Sequence, residues 1–277
     1  MEKMNAVSEE THCGACSYRP DLFGLIIPGK HGKLLATLYT AKGGGLHPSI
    51  LLLHGIPGCE QNLDLAQVFR RAGFHVMTFH YSGSWGSGGT YSLQHDIDDA
   101  QTVLDFMLQD TTYGFDKDHI YAVGHSLGGF VCGQITARRK EIQGAALLMP
   151  CNIGRIRSIA KEAPDNATLL REVLDDSANW LQGLSTGCLY QEALNQETEY
   201  ALENHAAALA KKPLLCITGS LDPYTPLNQH AKPLLDAIQK IGSNQVQTIA
   251  YPTDHFFSDY RLQIAKDVTE FFLALLS

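Results

Sequence analysis

Ala122-Val123-Gly124-His125-Ser126-Leu127-Gly128-Gly129 is the stretch on which the reading of this chain turns. Its spacing is Gly-x-Ser-x-Gly, placed where the apolar run His119 to Val123 gives way to a helix-like run from Leu127 to Arg138. A strand, a sharp turn carrying serine, and then a helix form the context in which this motif has meaning. The glycines have a steric reason to be there. A serine held in a strained turn packs closely against its neighbours, so the positions two before and two after it have no room for side chains. The turn lifts the hydroxyl clear of the sheet and sets it at the positive end of the following helix.

On either side of this stretch, strand and helix patterns alternate. Asp21 to Pro28 and Lys33 to Thr40, joined by Gly29-Lys30-His31-Gly32, predict a β-hairpin. Ser49 to His54 is a continuous apolar run, as expected of a strand buried on both faces of a parallel sheet. Helical spacing follows over Asp64 to Ala72, then a strand over Phe74 to Tyr81, a glycine-rich loop over Ser82 to Gly89, and a helix over His95 to Leu108. Beyond the central motif, Gly144 to Met149 predicts a sixth strand. From about Asn152 to Lys212 the pattern changes to charged helical pieces: Ile153 to Ala163, Ala167 to Ser177 and Gln196 to Ala210. Alternation then resumes with the strand Leu214 to Thr218, a helix around Leu227 to Ile241, the strand Val246 to Tyr251 and a helix over Asp259 to Leu276. Pro233 falls inside the penultimate helix pattern, which implies either a kink or a later start. The expected fold is α/β: a mostly parallel, doubly wound sheet over residues 21–277, with a small helical cap at about 152–212 after the sixth strand. Residues 1–20 read as an N-terminal tail.

Composition narrows the function. A net charge of −8, with no basic block or basic helix face, gives no reason to expect nucleic acid or an anionic membrane as partner. No apolar run approaches the roughly 18 residues of a membrane span. The polar Met1 to Cys16 lacks the apolar region of a secretory signal, so the expected compartment is the cytoplasm. The chain has seven cysteines, an odd number, spread over 277 residues. Cys13-Gly-Ala-Cys16 has no second ligand pair for zinc and precedes the first strand, so it reads as incidental thiols. The other five (Cys59, Cys132, Cys151, Cys188, Cys216) mostly sit in apolar contexts and read as small buried hydrophobes. No metal-ligand spacing appears, and the Gly83–Gly89 loop lacks the Gly-Lys-Ser/Thr ending of a phosphate-binding loop. The chemistry expected here requires no cofactor.

Serine needs a base, and the base needs an orienting group. In a parallel sheet all strand C-termini face one edge, so residues that follow strands share a rim with Ser126. His255, between the last predicted strand and the last helix, is the candidate base. Asp222, after the seventh strand in Ser220-Leu221-Asp222-Pro223-Tyr224-Thr225-Pro226, is the candidate acid, with Asp254 as its rival and a simple Asp-Pro turn as the structural alternative. Neighbouring side chains in a loop diverge, which favours Asp222 over Asp254.

The order Ser126, Asp222, His255 is the order of the α/β-hydrolases. From about Asp21 onward the chain resembles that superfamily. His54-Gly55-Ile56-Pro57-Gly58 and Tyr81-Ser82-Gly83-Ser84-Trp85-Gly86-Ser87-Gly88-Gly89 resemble segments of its prolyl-oligopeptidase-like and dienelactone-hydrolase-like branches. Two positions depart from the pattern: Ile56 replaces a glycine, and Ser82 stands where many relatives carry arginine. The resemblance implies an oxyanion hole from the backbone N–H groups of Ile56 and Leu127. Trp85 and His125 are the candidate substrate contacts, Trp85 as a wall of the acyl pocket. His125 adjoins the serine, although the turn directs its ring away from the hydroxyl. The expected activity is that of a serine carboxylesterase acting on small-molecule short-chain or aryl (cinnamoyl, feruloyl) esters. A small peptidase and a thioesterase are the enzymatic alternatives. A binding protein on a disabled hydrolase fold would typically have lost a triad member, whereas all three positions are filled. A homodimer is compatible with the sequence.

Overall fold

A computed structural model describes residues 5–9 and 18–276. Eight strands form one sheet in the order β1-β2-β4-β3-β5-β6-β7-β8. They are β1 (Leu22–Pro28), β2 (Lys33–Tyr39), β3 (His47–Leu53), β4 (His75–Phe79), β5 (Phe115–His125), β6 (Ile142–Leu148), β7 (Leu214–Gly219) and β8 (Val246–Tyr251). The opening hairpin pairs antiparallel, and β2 joins β4 antiparallel; every pairing from β4 through β8 is parallel. The α/β class and the mostly parallel sheet are therefore as expected.

Side-chain alternation along β3 explains why both faces are covered. Leu51 and Leu53 enter one apolar cluster, with α2 (Leu93–Gln109) and α3 (Leu127–Arg138). Ile50 and Leu52 enter the other, beneath α1 (Leu63–Arg71) and α10 (Arg261–Leu275). Each fully buried leucine or isoleucine of this kind contributes roughly 1.5–3 kcal/mol over exposure. Helix α3 is buried on all sides from Leu127 through Thr136, the pattern of a helix enclosed by other elements. The sheet lies on one side of it and the segment between β6 and β7 on the other; a Cβ at Gly133 would meet a Leu202 side-chain carbon at 2.8 Å.

That segment holds α4 (Ile156–Glu162), α5 (Pro164–Asp176), α6 (Cys188–Asn195), α7 (Glu197–Tyr200) and α8 (Ala206–Leu209), with short 3₁₀ turns between. The helix expected around Leu227 to Ile241 begins later, as α9 (Ala231–Ile241). Pro233 then falls in its first turn, where no N–H is required of it. Strand β5 begins at Phe115, four residues earlier than expected. Phe115 is buried and pairs with His47, while Asp116, Lys117 and Asp118 carry the strand past the surface before it enters the core. No helix among the described residues is long and apolar enough to cross a membrane. Cys13 and Cys16 lie outside the described residues. Cys132, Cys151 and Cys216 are buried thiols, each pushed up to about 12 by burial, whereas Cys59 is exposed and departs from the expectation.

Candidate active site

Ser126 sits between β5 and α3 with φ 58° and ψ −121°, a conformation that L-residues hold only under constraint. The constraint is visible in two contacts. A Cβ at Gly124 would lie 2.0 Å from Gly128 O, and one at Gly128 would lie 2.2 Å from Leu53 O. Both glycines of the motif are thus required by close approach of backbone. The turn is tied down further by Ser126 N donating to Leu148 O at 2.9 Å and Cys151 N donating to Ser126 O at 2.9 Å.

The strand ends bring three side chains into line. Ser126 Oγ lies 2.9 Å from His255 Nε2, and His255 Nδ1 lies 2.7 Å from Asp222 Oδ2. His255 and Asp222 are each 5% exposed. Burial alone would push the Asp222 carboxyl up, but hydrogen bonds from His255 and Thr225 and the charge of His255 outweigh it and hold the carboxyl below its ordinary value. Asp222 Oδ1 accepts the N–H groups of Tyr224 at 2.8 Å and Thr225 at 3.0 Å. Asp254 is occupied elsewhere. Its carboxylate accepts from the N–H groups of Phe256 and Ser258 and from the Ser258 hydroxyl, all within its own loop.

The serine opens on a cavity of about 230 Å³. Leu127, Ile153, Leu170, Val173 and Leu174 supply its apolar wall, three of them from α5 of the inserted segment. Glu60 and Asp176 are the carboxylates outside the Ser-His-Asp group, and among the described lining residues there is no lysine or arginine. Gly55 and Ile56 also line the cavity, and a Cβ at Gly55 would lie 3.0 Å from the Ser126 Cβ. Among the described residues, neither the Ile56 nor the Leu127 N–H donates a hydrogen bond within the protein. Both belong to residues that line the cavity.

Residues 48–201, more than half of the chain, match the model of the alpha/beta hydrolase fold family. The chain belongs to the α/β-hydrolase fold family. In sequence, this α/β-hydrolase is similar to the lysophosphatidylserine lipase ABHD12 of Rattus norvegicus, 33% identical over 123 residues. That match covers 43% of this chain and 30% of the lipase, so the chain spans less than a third of the curated relative. In structure it is similar to an esterase of Pyrococcus furiosus, with TM-score 0.66, 16% identity and coverage of 93% and 91% of the two chains. Est1E from Butyrivibrio proteoclasticus gives TM-score 0.66 at 19% identity, over 91% of this chain and 98% of that one. At such identities these likenesses concern the fold.

Two sequence candidates of this hydrolase have specific places. His125 does line the cavity, but its ring is buried and its Nε2 lies 2.8 Å from His255 O, which it can hold as a donor. Burial and the neighbouring His255 lower its pKa to about 3, so it stays neutral near pH 7. Trp85 is not among the lining residues. Its indole Nε1 donates to Pro57 O at 2.6 Å, over Gly58, and its ring stacks with Trp180 at 6.5 Å. A positive φ of 43° at so bulky a residue marks a position held by its surroundings. Trp85 therefore touches the cavity-lining turn at Pro57 without lining the cavity itself.

Sequence reasoning missed Thr225, whose Oγ1 lies 2.6 Å from Asp222 Oδ2 and 3.0 Å from Met149 O. A turn-forming aspartate is a signal for bonds to nearby backbone N–H groups, but no spacing marked the Thr225 hydroxyl. Cys59 and Cys151 also line the cavity, and no spacing announced either. Among the described residues no group of His, Cys, Asp or Glu could hold a metal ion.

Proposed function

We propose that this α/β-hydrolase is a serine esterase that cleaves carboxylic esters of short-chain or aryl acids through an acyl-enzyme on Ser126. The observation that carries the reading is the unbroken line Ser126 Oγ, His255 Nε2, His255 Nδ1, Asp222 Oδ2, opening on an apolar cavity. His255 takes the serine proton as Oγ attacks the ester carbonyl, and Asp222 holds the imidazole in the tautomer that leaves Nε2 free to accept. The collapsing intermediate expels the alcohol with that proton. Water, activated by the same imidazole, then attacks the acyl carbonyl and releases the acid and Ser126. The N–H groups of Ile56 and Leu127 are the donors assigned to the oxyanion, and each such donor stabilises the transition state by roughly 3–4 kcal/mol.

Cavity size and charge support this substrate class. A volume of about 230 Å³ with an α5 wall of leucine and valine suits a small acyl group. The 33% identity to a lysophosphatidylserine lipase supports a second reading, a lysophospholipid ester. Against it, among the described lining residues Glu60 and Asp176 are the carboxylates outside the triad, and there is no lysine or arginine to meet an anionic headgroup.

Matched butyryl substrates with a p-nitrophenyl ester, a thioester or an anilide leaving group test the reaction class. An amide nitrogen must be protonated as it leaves, which demands closer placement and more remote binding than an ester oxygen. We expect clear turnover of the ester and anilide turnover lower by at least about a thousandfold, roughly 4 kcal/mol in the barrier. Lysophosphatidylserine should be turned over less efficiently than butyrate or methyl cinnamate esters. Comparable kcat/KM on the anilide would make the protein a peptidase, and preference for lysophosphatidylserine would install the second reading.

A further inference from the structure

The inserted segment does more than wall the cavity. Asn166, in the first turn of α5 and 9% exposed, directs its side-chain amide at the loop that follows β7. Its Nδ2 donates to Pro223 O at 2.8 Å and to Tyr224 O at 3.1 Å. Those carbonyls belong to the same two peptide units whose N–H groups, on Tyr224 and Thr225, donate to Asp222 Oδ1. One amide group from the inserted segment therefore grips, from behind, both peptides that face the carboxylate.

The orientation of that amide is itself specified. Asn152 N donates to His230 Nδ1 at 3.0 Å, so the proton of neutral His230 is on Nε2. Nε2 lies 3.3 Å from Asn166 Oδ1, which must be the acceptor, leaving Nδ2 for the two carbonyls. Burial lowers the His230 pKa to about 3, so the tautomer persists near neutral pH. Asn152 extends the network: its Nδ2 donates to Glu203 Oε2 at 2.7 Å, and its Oδ1 accepts from Leu202 N at 3.0 Å. His230 and Asn152 are fully buried. Hydrogen bonds at the two ends of a peptide unit polarise one another, so gripping the carbonyls strengthens as well as aims the N–H groups.

We propose that Asn166 is a positioning residue for Asp222, holding from the inserted helical segment the two peptide units that orient its carboxylate against His255. The proposal rests on the reading of Ser126, His255 and Asp222 as a catalytic triad. It makes the segment part of the machinery that acts on every substrate, in addition to forming the acyl wall.

The test uses the full chain and p-nitrophenyl butyrate, with the rate of fluorophosphonate labelling as a second readout of serine reactivity. Asn166→Ala removes both ends of the contact, and alanine is well tolerated in a helix. Asn166→Asp keeps the shape and the acceptor for His230 but loses the donor. Both should lower kcat about tenfold or more, slow labelling in proportion and leave KM within about twofold. In an Asp222→Asn background, Asn166→Ala should cost less than about twofold more, because the two act through one carboxylate. Folded variants whose kcat and labelling rate stay within twofold of the parent overturn the proposal. So does a loss confined to KM, or full additivity with Asp222→Asn. If Asp222→Asn itself retains near-parental turnover, the triad reading fails first, and that result is separate from the behaviour of Asn166.

Discussion

Ser126→Ala is expected to lose ester turnover by at least about ten-thousandfold, roughly 5.5 kcal/mol in the barrier, and to lose fluorophosphonate labelling altogether. The size follows from what remains. The assigned oxyanion donors and the cavity would still bind and polarise an ester, but nothing would attack it except unpositioned water. The cavity also contains Cys151, and a thiol is in principle a substitute nucleophile. Burial pushes that thiol up to about 12, so near neutral pH it holds almost no thiolate. Cys59, the exposed thiol at the mouth, is controlled for by repeating the assay after alkylation. Undiminished labelling of the alanine variant would remove Ser126 from the mechanism.

Asp222→Asn should cut kcat by about ten-thousandfold while leaving the fold intact. The substitution preserves shape and can retain the bonds from the Tyr224 and Thr225 N–H groups to Oδ1, while the Thr225 hydroxyl, which donates to Oδ2 of the aspartate, would instead accept from the new amide and donate to Met149 O. What changes is the partner offered to His255. An amide NH₂ facing Nδ1 favours the tautomer with its proton on Nε2, and that nitrogen can no longer accept from Ser126. Asp254→Asn should change kcat by less than about threefold, because its carboxylate holds the backbone of its own loop. Steady-state kinetics of the two variants side by side decide between the acids. A reversal of the two effects would overturn the assignment to Asp222.

The parts of the site legible in the sequence share one property: each sits where a strand gives way to a loop. Hydrophobic runs mark strand ends, and a parallel sheet sends all those ends to one edge, so Ser126, Asp222 and His255 could be brought together without knowing any distance. The motif glycines were legible for a related reason, since only backbone proximity requires them. Asn166 was not legible. Its partners are backbone carbonyls 57 and 58 residues further along, and a carbonyl leaves no mark in a sequence. That Trp85 bonds to Pro57 O and stacks on Trp180, and does not line the cavity, is not legible in the sequence, because both contacts are decided by loop conformation. Cys59 reads, with the other scattered cysteines, as a small buried hydrophobe, but it follows the Ile56-Pro57-Gly58 turn and is exposed. The early start of β5 escaped notice for an electrostatic reason, because three charged residues in succession do not resemble a strand entering a core.

The stacked indoles have a consequence for observing this protein at work. The chain contains two tryptophans, Trp85 and Trp180, 41% and 59% exposed; they stack on each other, and Trp85 bonds to the cavity-lining Pro57. All indole emission from the molecule therefore originates within a few residues of Pro57 and Ser177, which line that cavity. A ligand that fills the cavity is expected to change the surroundings of this indole pair through Pro57, which Trp85 contacts. Ultraviolet fluorescence of the unmodified chain thus becomes a direct signal of occupancy, with no tryptophan buried in the core to dilute it. Ser126→Ala, which would bind esters without consuming them, can then be titrated by its own light.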